Sequence, residues 1–227
     1  MTFAQSTVAD DTTTRVKAKK PDSLREKFYP RTFRFGTDVL ALILSRSVKF
    51  SGWELNGDID FGKYYAAVDI GSSRRDYILS TGGSYHNEGT YWRAGMDANV
   101  LKKDPDRTMF FMGLRYAHSS WREEVTVISP DPYFGATKYQ LNNQAVTAGW
   151  GEITTGLRVK VWKEFWMGIT ARMKFALHVD GGTAINPYDV PGYGTIGKGI
   201  NWGFNYQIFW RIPFSKPRKA PPLPISK

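Results

Sequence analysis

One pair of residues has the types and spacing that nucleophilic catalysis requires. His118 and Ser120 lie two positions apart, so on a strand they share a face and could approach within hydrogen-bonding distance. A serine hydrolase also needs an acid that orients the imidazole. Glu123 and Glu124 lie too close along the strand for that role, and Asp131 follows a proline. The chain is therefore predicted not to be an enzyme, and a hydrolase that uses His118 and Ser120 is kept as an alternative.

Other site chemistry has little support in the composition. The 227 residues include no cysteine, which excludes disulfides, thiolate metal sites and a cysteine nucleophile. The three histidines are scattered, which does not favour a metal site, and neither a metal nor a cofactor is expected. His86 is assigned to a loop, and His178 is predicted to face the interior of the fold.

The net charge of +10 is concentrated near the two ends of the chain. Residues 1–31 carry seven Lys and Arg against four Asp and Glu, and residues 215–227 carry four basic residues and no acid. The region between them is therefore close to neutral, with twenty basic and seventeen acidic residues. Basic tails near an anionic lipid surface explain this distribution, and nucleic acid is not an expected partner.

Residues 199–214 alternate with a period of two, which predicts a strand with two different faces. One row is strongly apolar, whereas the other contains a glycine, two amides and an arginine, with Phe209 as its only large apolar member. Seven further segments alternate in the same way: 32–39, 53–61, 64–71, 91–101, 109–121, 151–162 and 166–179.

The connections between these eight segments alternate in length. Short connections (62–63, 102–108 and 163–165) alternate with long ones (40–52, 72–90, 122–150 and 180–198), and Leu40–Lys49 could include a helical turn. This is the layout of an outer-membrane barrel. The predicted fold class is all-β: an eight-stranded antiparallel up-and-down transmembrane β-barrel with a polar interior, periplasmic termini and extracellular long loops.

The small residues decide which face points inward. Glycines such as Gly95 and Gly113 lie in the polar rows, where they would make room for long charged side chains in a narrow barrel. The apolar rows are too bulky to fit inside, which disfavours a soluble lipocalin-like ligand-binding barrel, the second alternative. Bulky aromatics near strand ends predict interfacial girdles: Trp53, Phe61, Tyr64, Trp92, Phe110, Trp166, Trp210 and Phe214.

The polar rows then meet inside the barrel. Buried charges must be paired, and their near-balanced signs predict an ion-pair network that closes the lumen. The predicted members are Arg34, Asp38, Glu54, Asp58, Asp69, Arg93, Asp97, Arg115, Glu152, Arg158, Lys160, Arg172, Lys174 and Arg211.

Four stretches carry a resemblance that extends over residues 25–214: FGTD at 35–38, GLRYAHSS at 113–120, GLRVK at 156–160 and GFNY at 203–206. They resemble an uncharacterised family of small eight-stranded outer-membrane β-barrel proteins of Bacteroidota. The resemblance implies the fold and the location and brings no catalytic residues. GLRYAHSS is also similar to the His-x-Ser stretch of outer-membrane lipid A deacylases, which gives the hydrolase alternative its substrate class.

The last strand resembles the C-terminal targeting strand of bacterial outer-membrane barrels. Its assembly signal would comprise Gly203, Tyr206, Ile208, Trp210 and Phe214. The expected organisation is a signal remnant and flexible arm at 1–31, a barrel at 32–214 and a basic proline-rich periplasmic tail at 215–227. The expected role is structural or assembly-related, as a subunit of a larger envelope complex. Expected partners are outer-membrane lipid and lipopolysaccharide, the barrel-assembly machinery, and other outer-membrane proteins or lipoproteins.

Overall fold

Strands make up nearly all of the structure, a computed structural model that describes residues 29–45, 50–80, 82–101, 107–131, 133, 135–197 and 199–214. The elements in chain order are β1 (Thr32–Asp38), α1 (Val39–Leu44), β2 (Phe50–Asp60), β3 (Tyr64–Ile78), β4 (Ser84–Asn99), β5 (Thr108–Asp131), β6 (Gly135–Trp162), β7 (Phe165–Asp180), β8 (Asp189–Val190), β9 (Gly194–Thr195) and β10 (Asn201–Pro213). The basic tail and residues 1–28 of the predicted arm lie outside the described residues.

Eight of these strands close into a barrel, as predicted. The order around the ring is β1-β10-β7-β6-β5-β4-β3-β2, and every neighbouring pair is antiparallel. Thr32 pairs with Pro213, so the first and last strands seal the ring and both strand termini lie at the same end. Closure gives each strand two partners, which satisfies the backbone groups without water.

The two faces of the barrel have the polarity of a membrane protein. Large apolar side chains such as Leu114 and Phe204, each 65% exposed, point outward, whereas arginines and carboxylates are buried inside. A soluble lipocalin-like barrel has the opposite arrangement, so that alternative was wrong. The fold is an eight-stranded transmembrane β-barrel with a polar interior, and the predicted fold class is confirmed.

Two of the predicted long loops are mostly strand. β3 continues to Ile78 and β4 begins at Ser84. In the same way, β5 continues to Asp131 and β6 begins at Gly135. The predicted loops at 72–90 and 122–150 were therefore wrong in type. These extensions project beyond the apolar band, where polar residues occur on both faces and the sequence contrast between the faces is lost. His86, assigned to a loop, lies in β4.

The helical turn predicted within Leu40–Lys49 is α1, which begins one residue earlier, at Val39. The Asp38 carboxylate caps it by accepting a hydrogen bond from the Leu40 backbone N–H at 3.0 Å. α1 packs against β2 and β10, above the end of the short strand β1. No helix in the part of the chain that the structure describes is long and apolar enough to cross a membrane.

A β-bulge reverses the alternation near the end of β7. Ala176 has a φ of +52°, and the β6–β7 register shifts between Gly149 and Gly151. Leu177 then packs against the interior cluster, and His178 becomes 79% exposed. The prediction that His178 faces inward was therefore wrong, because one additional residue in a strand exchanges the faces of all later side chains.

Candidate functional site

The first layer of the interior lies near the end that contains the termini. Asp58 on β2 binds two guanidinium groups, with Arg34 Nη2 at 2.7 Å and Arg158 Nη1 at 2.6 Å. Both arginines also lie over aromatic rings; Arg158 is 4.5 Å from the centroid of Phe209. The indole of Trp166 lies between Arg34 and Arg211, so this residue is buried and its assignment to the outer girdle was wrong.

The second layer is a network of three arginines and four carboxylates at mid-barrel. Arg93 Nη1 lies 2.7 Å from Glu54, Arg172 Nη2 lies 3.0 Å from Asp69, and Arg115 Nη2 lies 2.7 Å from Asp97. Further pairs connect these into one network: Arg93 with Glu152, Arg172 with Glu152, Arg172 with Glu54, and Arg115 with Asp69. Every member is buried.

Glycines on the inward rows make room for these groups. A Cβ at Gly113 would lie 2.1 Å from Oδ1 of Asp97, and one at Gly168 would lie 2.8 Å from Cγ of Arg158. A side chain at either position would displace the network, since packed interiors cannot absorb such overlap without strain. The inward glycines thus follow from the need to fit arginines into an eight-stranded barrel.

Three predicted members of the network lie at its ends. Lys160 is only half-buried and pairs with Glu164 in the β6–β7 turn at 3.6 Å, and Arg211 Nε binds the same carboxylate at 2.6 Å. Burial raises the pKa of Glu164, but the hydrogen bond and charge of Arg211, with the charge of Lys160, outweigh it, so the pKa is lowered. At the other end, Asp38 accepts hydrogen bonds from α1, from the Tyr206 N–H at 3.2 Å and from Asn205.

The connection between β7 and β10 folds back into the barrel mouth, which the sequence did not predict. Lys174 Nζ donates to the backbone oxygens of Gly192, at 2.8 Å, and Tyr193, at 3.0 Å. Arg93 Nη2 also donates to the Gly192 oxygen, at 3.0 Å. The Tyr193 ring packs edge-on against Trp150, with centroids 5.5 Å apart. Residues 188–196, which include β8 and β9, therefore form a plug over the ion-pair network.

A second polar cluster supports the plug and was also missed. Glu123 on β5 accepts hydrogen bonds from Tyr85 and Asn143, each at 2.8 Å, and Asn87 donates to the Asp189 backbone oxygen at 2.5 Å. The Asp189 carboxylate pairs with Arg75 at 3.2 Å, yet burial raises its pKa. Glu123 keeps the inward parity of β5, which is the signal that could have identified it.

His118 and Ser120 face outward on β5, as their spacing predicts, but the structure does not assemble a triad around them. In the described part of the chain neither side chain hydrogen-bonds to the other, and His118 stacks on Trp92 with ring centroids 5.9 Å apart. Glu123 points inward and is buried. The Asp131 side chain is outside the described residues. The described residues also contain no group of three or more His, Cys, Asp or Glu that could hold a metal ion.

The residues proposed as an assembly signal lie on or just beyond β10. Tyr206, Ile208 and Trp210 belong to its outward row. Gly203 is on the inward row, where a Cβ would lie 3.0 Å from Lys174 Nζ. Phe214 follows the strand and is exposed at the end of the barrel that contains the termini. Three of the five residues therefore place their side chains on the outer surface of the barrel, along one strand.

Comparisons with known proteins give one family and one solved structure. A family model described as a domain of unknown function (DUF6048) matches residues 1–217. No curated protein matches the chain. The crystal structure of Neisserial surface protein A (NspA) is similar, with 14% identity over 83% of this chain and 97% of that one and a TM-score of 0.37.

Proposed function

This chain belongs to the DUF6048 family, whose function is unknown, and from that premise we propose that it is an outer-membrane barrel with a structural or assembly role. In this proposal it is one subunit of a larger envelope complex of a Gram-negative bacterium of the Bacteroidota. Its termini lie in the periplasm, and its long hairpins project from the cell surface.

The apolar exterior supports the membrane location. The outward row of β10, from Trp202 to Ile212, contains only Trp, Phe, Tyr and Ile. A charge at the bilayer midplane of such barrels costs about 2–4 kcal/mol, which explains why the row has none. A closed barrel is the only arrangement of strands in which every backbone group within the lipid forms a hydrogen bond.

The filled interior supports a structural role over transport. The ion-pair layers reach across the lumen, and the plug covers them at the mouth. A channel or carrier requires a path lined by solvated or ligand-binding groups, whereas these charged groups bind one another. The barrel therefore functions in this proposal through its outer surfaces.

The β5–β6 hairpin is the observation that carries the proposal. β5 and β6 have 24 and 28 residues, against 7 in β1, so one side of the barrel stands far above the other. β7 pairs with β6 only from Thr147 onward, which leaves residues 135–142 with one free edge in the described part of the chain. Exposed Tyr139 and Leu141 lie on this edge. Free strand edges bind added strands through backbone hydrogen bonds, with side-chain pockets adding specificity.

Site-specific photo-crosslinking in native membranes tests the proposal. A benzophenone amino acid at position 139 or 141 should give a discrete protein adduct, and the same probe at lipid-facing Phe204 should not. Lys138→Pro, which removes a backbone donor from the free edge and leaves the β5–β6 hydrogen bonds in place, should abolish the adduct while the protein still migrates as a folded barrel in unheated SDS gels. No adduct at the hairpin, or equal adducts at all three positions, would exclude the hairpin as the contact with a complex.

A further inference from the structure

A groove on the outer wall of the barrel lies between two histidines. His118 on β5 pairs with Gly149 on β6, and Gly149 pairs with His178 on β7. Since neighbouring strands are about 4.8 Å apart, the two histidine-bearing strands are separated by about 10 Å, with a glycine between them. The space between these strands, with a volume of about 500 Å³, is the rim groove, and it is lined by Tyr116, His118, Gly149, Gly151, Ala176 and His178.

The backbone that forms the rim groove is strained. Ala176 has a left-handed φ of +52°, which costs a non-glycine residue about 1–2 kcal/mol. The other non-glycine residue with positive φ in the described ranges is Lys163, which lies in a hairpin turn. Bulges within strands commonly re-aim a side chain next to a functional site. Here the bulge turns His178 and Asp180 outward, into the groove wall.

The rim groove also lies at the edge of the apolar band. Outward residues on one side of it along β5, Leu114 and Tyr116, are apolar, whereas Ser120 and Arg122 on the other side are polar and exposed. A Cβ at Gly149 would lie 2.5 Å from the Tyr116 hydroxyl, so this hydroxyl lies over the glycine floor. A ligand here would have one part in hydrocarbon and another in the headgroup region.

The polar groups of the groove have complementary binding chemistry. The imidazoles of His118 and His178 can donate hydrogen bonds to phosphate oxygens. The Asp180 carboxylate, whose Oδ2 lies 3.3 Å from Nε2 of His178, would repel a purely anionic headgroup and attract an ammonium group. We propose that the rim groove binds one phospholipid whose headgroup carries both a phosphate and a primary amine, with an acyl chain against Tyr116. The inference requires the membrane location but not the role in a complex.

Histidine NMR tests this inference directly, because the chain has three histidines and His86 serves as an internal control. The ¹³Cε1–¹H signals would be followed in the folded barrel in maltoside micelles during titration with phosphatidylethanolamine. His118 and His178 should show saturable shifts, and His86, which hydrogen-bonds to Asp76 on the strand extension, should not. Phosphatidylglycerol, without the amine, should bind about two- to fivefold more weakly, the range of an exposed ion pair.

Two variants and one control make the test specific. Gly149→Leu displaces the Tyr116 hydroxyl into the groove and should abolish both shifts. Gly57→Leu, on the outer face of β2 with its nearest neighbouring atom 3.7 Å from the added Cβ, should leave them unchanged. Asp180→Asn, at an exposed position, should reduce the phosphatidylethanolamine affinity to that for phosphatidylglycerol. Equal saturable shifts with diacylglycerol, equal affinity for the two phospholipids in the wild-type protein, or no shift in a barrel that is folded would each overturn the inference. Crosslinking at the β5–β6 hairpin would be unaffected by any of these results.

Discussion

Arg158 and Asp58 join opposite walls of the barrel: β6 and β2 are four strands apart in the ring of eight, and Arg158 Nη1 lies 2.6 Å from Asp58 Oδ2. Asp58 also binds Arg34 on the neighbouring strand β1. One carboxylate therefore pairs with two buried guanidinium groups from different sides of the lumen. This ion pair links opposite walls and stabilises the barrel, because removing either member leaves a buried charge without its partner.

Asp58→Asn should therefore be strongly destabilising. Removal of one partner of a buried ion pair costs about 3–5 kcal/mol. Here Arg34 loses its paired carboxylate, and Arg158 keeps only the more distant Asp97, at 3.9 Å. The free energy of unfolding, measured by urea titration in lipid vesicles with tryptophan fluorescence, should fall by that amount. The control is Asp76→Asn, which removes exposed contacts to Arg74 and His86 and should change stability by no more than about 1 kcal/mol. Equal losses in the two variants would contradict a stabilising role of the Asp58 ion pairs.

The turn between β6 and β7 gives a pH-dependent contribution to stability. The Arg211–Glu164 pair lowers the pKa of Glu164, so its carboxylate stabilises the folded state fully above the unfolded pKa of about 4.3. The contribution disappears as the pH falls through the lower folded pKa. Glu164→Gln should thus cost about 1 kcal/mol at pH 7 and less at pH 2. Unfolding measured at both pH values checks this, and a pH-independent difference would contradict it.

The position of the plug depends on the Lys174 ammonium group. Lys174→Met removes a charged donor from the Gly192 and Tyr193 oxygens, which then keep only Arg93 and Asn201 as donors. A hydrogen bond to a charged group contributes about 1.5–3 kcal/mol. Hydrogen–deuterium exchange of residues 188–196 should accelerate roughly tenfold or more. The barrel strands should keep their protection. Lys138→Met, on the exposed β5–β6 hairpin, is the matched control and should leave exchange in the plug unchanged.

Alternation predicted the barrel and the direction of its faces because side chains in strands have a period of two and lipid imposes a strong contrast. That contrast ends above the apolar band, where strand residues such as His86 and Asn87 are both polar and were read as loop. The plug could not be predicted, since Lys174 and Arg93 reach its carbonyl groups only after the barrel has closed. Trp166 lies next to a turn, where the sequence does not distinguish an interfacial indole from a buried one.

The bulge at Ala176 has no sequence signal, because alanine does not favour a left-handed conformation. Ala176→Gly should remove the strain and stabilise the barrel by about 0.5–1 kcal/mol after the entropic cost of glycine. Ala171→Gly, on the same strand without a positive φ, should destabilise it by a similar amount. Opposite signs of the two changes in unfolding free energy are the measurement, and the same sign for both would show that Ala176 is not strained.

Arginine substitutions at two leucines of β6 distinguish a lipid-exposed position from a water-exposed one. Leu157 is 45% exposed and Leu141 is 44% exposed, but Leu157 lies in the apolar band and Leu141 in the projecting hairpin. Leu157→Arg should lower the free energy of unfolding by about 2–4 kcal/mol because it places a charge in hydrocarbon. Leu141→Arg should leave it within about 0.5 kcal/mol of the wild-type value, since surface substitutions in water have small effects. Urea unfolding in vesicles measures both variants. Equal effects would mean that the two positions share one solvent, which would contradict the placement of the apolar band in a membrane.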